Sequence, residues 1–298
     1  MMALYNIKLS DAKLHISKGN NKIGKGIWSF STLPGNSEHL LYIGSKVLLT
    51  DIPGTCSKYC EGCARDGACY AWRDAKLHHN AVIRAWGENT LLLRSGKVWA
   101  LLKEFFDSKN KKAMALIKEW RETPSPVPYT WDEIVAQAKD LAAVKTFRIN
   151  VSGEIENVSE LKGWATLAFE HPEIQFGVYT KNFDALGKYL DACLDNEECL
   201  PENLVINVSE WHGVASEFIN KYQAKYPGAF NVFEYDDHNK KDCSLSPEDV
   251  ERLEKTAHCP AVMRNGYHAK TAAGVAITCD MCGRCYRKTG QRTAVWSH

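Results

Sequence analysis

The chain has 298 residues, 45% of them hydrophobic and 24% charged, a balance that builds a core and excludes a disordered or fibrous protein. Thirty-seven Lys and Arg against 36 Asp and Glu leave a net charge of +1, so bulk electrostatics selects neither nucleic acid nor an anionic membrane as partner. No run approaches the roughly 18–20 apolar residues of a membrane span, and the first residues lack a signal-peptide layout, which predicts a soluble, cytoplasmic protein with no membrane partner.

In chain order, residues 1–45 alternate short apolar stretches with Gly, Asn and Lys and predict a β-rich N-terminal segment. Gly24-Lys25-Gly26 lacks the rest of a phosphate-loop pattern and predicts a turn. The apolar run Val47 to Ile52 predicts a buried strand stopped by Pro53-Gly54. A helical insertion follows over 71–143, with helices at 74–95, 97–120 and 131–143. Lys109 to Lys112 is then a solvated connection, and Thr130 with Glu133 has capping-box spacing.

Beyond residue 145, strands and helices alternate. Strands are predicted at Thr146 to Val151, Ile174 to Thr180, Leu204 to Ser209, Phe230 to Tyr235 and, last, Pro260 to Met263. Between them run stretches of helical period, for example Leu161, Trp164, Ala165 and Ala168, or Phe218, Ile219 and Tyr222. About six strands joined by helices demand a parallel sheet, which an open doubly wound sheet and a partial barrel both satisfy. Either way the functional groups collect at the carboxyl ends of the strands. Those ends carry Cys56 onward, Ser152-Gly153-Glu154, Thr180-Lys181, Ser209-Glu210 and Asp236.

Eleven cysteines fall mainly into two clusters. Cys56, Cys60 and Cys63 have the spacing C-x3-C-x2-C, with Cys69 six residues on. A tight loop of this kind points soft thiolates into one small volume, suited to an iron–sulfur cluster or zinc. The second set, Cys279, Cys282 and Cys285 with Cys259-Pro260 upstream, has C-x2-C-x2-C spacing. It fits a second iron–sulfur cluster, or zinc completed by His258, His268 or His298. Arg284, Arg287, Lys288 and Arg292 make this tail locally basic, which would suit a cluster's negative charge or a nucleic-acid contact. Cys193, Cys199 and Cys243 have no ligand spacing.

The first loop resembles the signature of radical S-adenosylmethionine (SAM) enzymes. That resemblance implies three Cys on a [4Fe–4S] cluster whose fourth iron takes SAM, an electron donor, and a 5′-deoxyadenosyl radical acting on an unknown substrate. It also implies a partial (β/α)6 barrel with the Cys loop after its first strand. A Gly-Gly-Glu-like motif then ends the second strand, here Ser152-Gly153-Glu154, with Thr180 and Ser209 at the same mouth. Gly62 stands where such loops usually carry an aromatic residue, and Cys69 as a fourth ligand would close the site. Phe30 to Pro34, Cys69-Tyr70-Ala71, Arg148 to Glu154, Val178 to Lys181, Asn207-Val208-Ser209 and Cys282-Gly-Arg-Cys285-Tyr286 together resemble the bacteriophage "gene product eighty-eight" family, which implies synthesis in bacterial host cytoplasm. The domains then read as 1–45, a β-rich segment; 46–257, an α/β partial-barrel domain with its Cys loop at 56–69; and 258–298, a Cys-rich metal-binding tail. The rival reading is a non-catalytic, metal-stapled protein that binds nucleic acid or another protein.

Overall fold

The computed structural model describes residues 3–20, 23–43, 46–60, 69–123, 129–195, 200–211, 213–236, 247–261 and 269–296. Strand β1 (Ser17–Asn20) pairs antiparallel with β2 (Gly24–Ser29). A two-stranded sheet, β3 (Tyr42–Ile43) and β4 (Val47–Leu48), stands apart. The remaining strands are β5 (Thr146–Ile149), β6 (Gln175–Thr180), β7 (Leu204–Glu210), β8 (Asn231–Asp236) and β9 (Arg292–Trp296).

The main sheet runs β1-β2-β5-β6-β7-β8-β9, and every pair from β2 onward is parallel. Strand order therefore follows chain order without reversal, so the sheet has no switch point of the doubly wound kind. Parallel neighbours require crossovers. Among the described elements these are α6 (Val158–Glu170), α7 (Phe183–Asp195), α8 (Ser216–Lys225) and α9 (Pro247–Lys255). The long connection from β2 to β5 carries five helices: α1 (Tyr70–Leu77), α2 (His79–Arg94), α3 (Val98–Lys109), α4 (Lys111–Glu122) and α5 (Trp131–Leu141).

Alternation along the strands gives the sheet two different faces. Phe147, Ile149, Phe176, Val178, Ile206 and Val208 enter the main core with Phe106 of α3, Trp164 of α6 and Leu186 of α7. Trp164 is fully buried and meets Phe30, Trp99 and Phe147 with ring centroids 5.4–6.0 Å apart. The opposite face carries Arg148, Tyr179, Ser209 and Phe233 and lines a cavity.

Four sequence expectations change. Gly24-Lys25-Gly26 begins β2, the first parallel strand, instead of forming a turn. Of Val47 to Ile52 only Val47–Leu48 is strand, and it lies outside the main sheet, because Leu49 packs with Leu33, Leu41 and Ile83 in a separate core beneath α2. Pro260 and Ala261 form a turn, and the sixth parallel strand is β9 near the end of the chain; Met263 lies outside the described residues. The predicted helix at 97–120 is divided at Asn110, which caps α3 and starts α4. Its buried side chain bonds the backbone of Val144 in both directions, at 3.0 and 2.8 Å. The Thr130–Glu133 capping box forms as expected.

Two asparagines and one glycine seat the cysteine-rich tail on the open face. Asn207 Nδ2 donates to Cys285 O at 3.0 Å and Asn231 Nδ2 to Arg287 O at 3.0 Å. At Gly177 of β6 a Cβ would come within 2.6 Å of the Tyr286 ring, so the missing side chain makes room for that ring. Asp280 N–H donates to Ile23 O at 3.0 Å, tying the same segment to the residue just before the first parallel strand.

Candidate active site

A cavity of about 560 Å³ opens at the carboxyl ends of the parallel strands. Its position follows from how the chain leaves β2. Phe30 N–H donates to Arg148 O, Val151 N–H to Phe30 O and Thr32 N–H to Ser152 O, at 3.0–3.1 Å, so residues 30–32 run beside the end of β5. Thr55 N–H then bonds Leu33 O and Cys56 N–H bonds Gly35 O, at 3.0 and 2.8 Å. The first cysteine is thereby brought against Ser152-Gly153-Glu154, almost a hundred residues away in the chain.

Gly153 has φ +81°, and a Cβ there would collide with Thr32 Oγ1 and stand 2.6 Å from Thr55 Oγ1. The close approach that this glycine permits is to the chain's own Thr32 and Thr55. Thr55 Oγ1 in turn accepts from Glu154 N–H at 2.8 Å.

The Cys60 thiol donates to Glu154 Oε2 at 3.9 Å, and Cys56 and Cys60 are hydrogen-bonded to each other. Gly35 N–H donates to Cys56 Sγ at 3.3 Å. The bond to Cys60, then burial, hold the Cys56 thiol well above its usual range. Glu154 is buried, and burial raises its carboxyl pKa although the backbone N–H of Lys181 and Ile155 donate to it at 2.8 and 2.9 Å. Cys69 caps α1, its Sγ accepting from Trp72 N–H at 3.4 Å, and lines the same cavity. Cys63 lies outside the described residues.

The second cysteine set faces the same space. Cys259, Cys279, Cys282 and Cys285 all line the cavity. Burial, followed by the nearby Cys259 and Cys279, pushes the Cys285 thiol up to about 12. Among the described residues no three His, Cys, Asp or Glu are grouped to hold a single metal ion. The ligands of one tetrahedral ion converge on a point, whereas those of a cubane stand at separate corners. Of the candidate histidines, His258 Nε2 bonds Asp236 Oδ2 at 2.7 Å and its ring stacks on Trp296 at 4.2 Å; His268 and His298 lie outside the described residues.

Other expected residues divide. Ser152, Gly153, Ser209, Lys181 and Glu210 line the cavity. Thr180 is buried, and its Oγ1 accepts from Asn182 N–H at 3.0 Å and bonds Glu154, so it orients the carboxylate from behind. Asp236 is fully buried against His258. The tail's cations are bonded inside the protein: Arg284 to Ala257 O, Arg287 to Cys282 O, Lys288 to Leu200 O and Arg292 to Glu234.

Sequence reasoning missed Arg148 and Asn150. Arg148 faces the cavity by alternation along β5, and Asn150 and Ser152 line it from the segment just beyond the strand. Arg148 Nε, Asn150 Oδ1, Ser152 Oγ and Glu210 Oε1, all on cavity residues, are buried without a hydrogen-bond partner. Burial opposes the Arg148 charge, but the surrounding Tyr70, Tyr179 and Tyr286 more than offset it and its pKa is raised.

A family model described as Gene product 88 matches residues 11–288, a span that takes in both cysteine sets and six strands of the main sheet. The chain belongs to the gene product 88 family. The match makes it a member of a phage protein family. No curated protein and no solved structure matches it. Among the described residues no helix of this gene product 88 chain is long and apolar enough to cross a membrane.

Proposed function

We propose that the cavity is the active site of a radical-SAM-type iron–sulfur enzyme built on a partial-barrel sheet, with Cys56, Cys60 and Cys63 as the ligands of a [4Fe–4S] cluster. The observation that carries this reading is the meeting of the Cys56–Cys60 thiol pair with the buried carboxylate of Glu154 at the carboxyl edge of a singly wound parallel sheet. The donor chemistry fits. Two soft sulfurs lie together, and backbone N–H donation from Gly35 to Cys56 Sγ is the kind of contact that tunes a cluster. Cluster and SAM, when bound, supply one-electron reductive cleavage; the chain supplies position and a dry cavity.

Once Cys60 is a thiolate ligand it no longer donates to Glu154, which then keeps an acceptor site beyond those used by Ile155, Lys181 and Thr180 for the ammonium of a bound SAM, and Ser152 Oγ is an adjacent partnerless hydroxyl. Thr180 holds the carboxylate in place. The second cysteine set, which lines the same cavity, would hold a further cluster, or zinc. The test is anaerobic incubation with SAM and dithionite. Formation of 5′-deoxyadenosine and methionine, lost in Cys60→Ala and Glu154→Ala, is expected. A zinc-loaded chain that leaves SAM intact would refute the reading in favour of a metal-stapled binding protein.

A further inference from the structure

The cavity contains a charge that the cysteines and Glu154 do not use. Arg148, on the second parallel strand, lines the cavity that both cysteine sets share, and its guanidinium lies 4.7 Å from the centre of the Tyr179 ring. Its Nε is buried without an acceptor, and among the described residues no carboxylate pairs with it. A guanidinium stays charged throughout the accessible pH range, and this half-buried one keeps donors in the cavity that an oxyanion can accept from. Two residues on, Asn150 is the sole non-glycine residue with positive φ (50°) among the described residues. Its Nδ2 donates to Glu160 Oε1 at 3.0 Å, and its Oδ1 is buried without a partner. Strain of this kind persists where the surroundings impose it, often at ligand sites. The facing wall is aromatic: Tyr179 meets Phe233 edge-on at 4.9 Å and Trp211 stacks on Tyr235 at 3.8 Å.

We propose that Arg148 anchors the oxyanion, carboxylate or phosphate, of a small molecule whose flat unsaturated body lies against the aromatic wall of β6–β8. This goes beyond the cluster reading and stands without it, since binding needs neither iron nor SAM. A cationic fork matches the planar oxyanion bidentately, and rings with a few placed polar groups are the usual lining of a small-molecule site.

The experiment titrates the full chain, prepared anaerobically, with benzoate, phenyl phosphate and neutral benzamide, read by tryptophan fluorescence. One or both anions should bind about tenfold or more tightly than benzamide, and the tighter of the two identifies the head group. Arg148→Gln should erase the preference and Arg148→Lys should retain part of it. Equal binding of anion and amide by the unaltered chain overturns the proposal, and that comparison needs no variant to fold. An unchanged preference in Arg148→Gln overturns it too, and iron lost from that variant would make Arg148 a counter-charge to the Cys279 side. Iron content and SAM cleavage are read separately, so failure here is distinguishable from failure of the cluster assignment.

Discussion

Replacing Gly153 by Ala tests the joint that brings the first cysteines to Glu154. The residue sits at φ +81°, a conformation that costs an L-residue roughly 1–2 kcal/mol. The new methyl would also collide with Thr32 Oγ1 and press on Thr55 Oγ1 at 2.6 Å. Relief requires Thr55 to retreat from Glu154 N–H, a buried bond of 2.8 Å whose loss without replacement costs about 1–3 kcal/mol. The sum, about 2–5 kcal/mol, is a large share of an ordinary domain's stability. Urea unfolding followed by tryptophan fluorescence measures it. Because the second part of the cost runs through the Thr55–Glu154 bond, Gly153→Ala should cost at least about 1 kcal/mol less in a Thr55→Ala background, where that bond is already gone. A loss below about 0.5 kcal/mol, or strict additivity of the two changes, would refute the argument.

Three other expectations follow from named contacts. Burial raises the Glu160 carboxyl from 4.5 to about 7; the unfolded chain gives up its proton first, so stability should fall by about 3 kcal/mol as pH rises across that window. Urea midpoints at pH 5 and pH 8 check this, and Glu160→Gln should flatten the dependence. Cys60→Ala should remove the iron of the first centre, whereas Cys193→Ala, in a buried core position, should leave it; equal iron in the two proteins refutes the ligand assignment. Asn207→Leu removes the donor to Cys285 O and leaves that carbonyl and Val178 O short of a partner. Loosening of the tail by about 1–3 kcal/mol should appear as faster proteolysis within residues 279–291, and an unaltered cleavage rate would count against tail docking through this residue.

The centre of the fold was legible because β5 to β8 turn an apolar residue toward the helices at alternate positions, such as Phe147 and Ile149 or Phe176 and Val178; their observed bounds fall within about two residues of the sequence reading. The two outer parallel strands were not. Gly24-Lys25-Gly26 interrupts the apolar pattern of β2, whose exposed positions tolerate it near the sheet edge. In β9, Arg292-Thr293-Ala294-Val295-Trp296 is short and begins with a cation that bonds Glu234, so it reads as a basic tail. Val47-Leu48-Leu49 misled in the opposite direction, since apolarity alone does not say which core a segment joins. Both cysteine sets were visible from spacing. That they face one cavity was not, because it depends on Asn207, Asn231 and Gly177 seating the tail, and single asparagines and glycines carry no pattern. Gly153 was singled out as a point of close approach to a cofactor, but the approach seen is to Thr32 and Thr55, which no spacing connects to it.

Iron and acid-labile sulfide per chain, with an EPR spectrum of the reduced protein before and after SAM is added, tests the first centre most directly. Filled cluster sites and a signal altered by SAM are predicted, since an iron facing Glu154 would have an exchangeable position. Stoichiometric zinc without sulfide, or a cluster signal indifferent to SAM, would contradict the assignment.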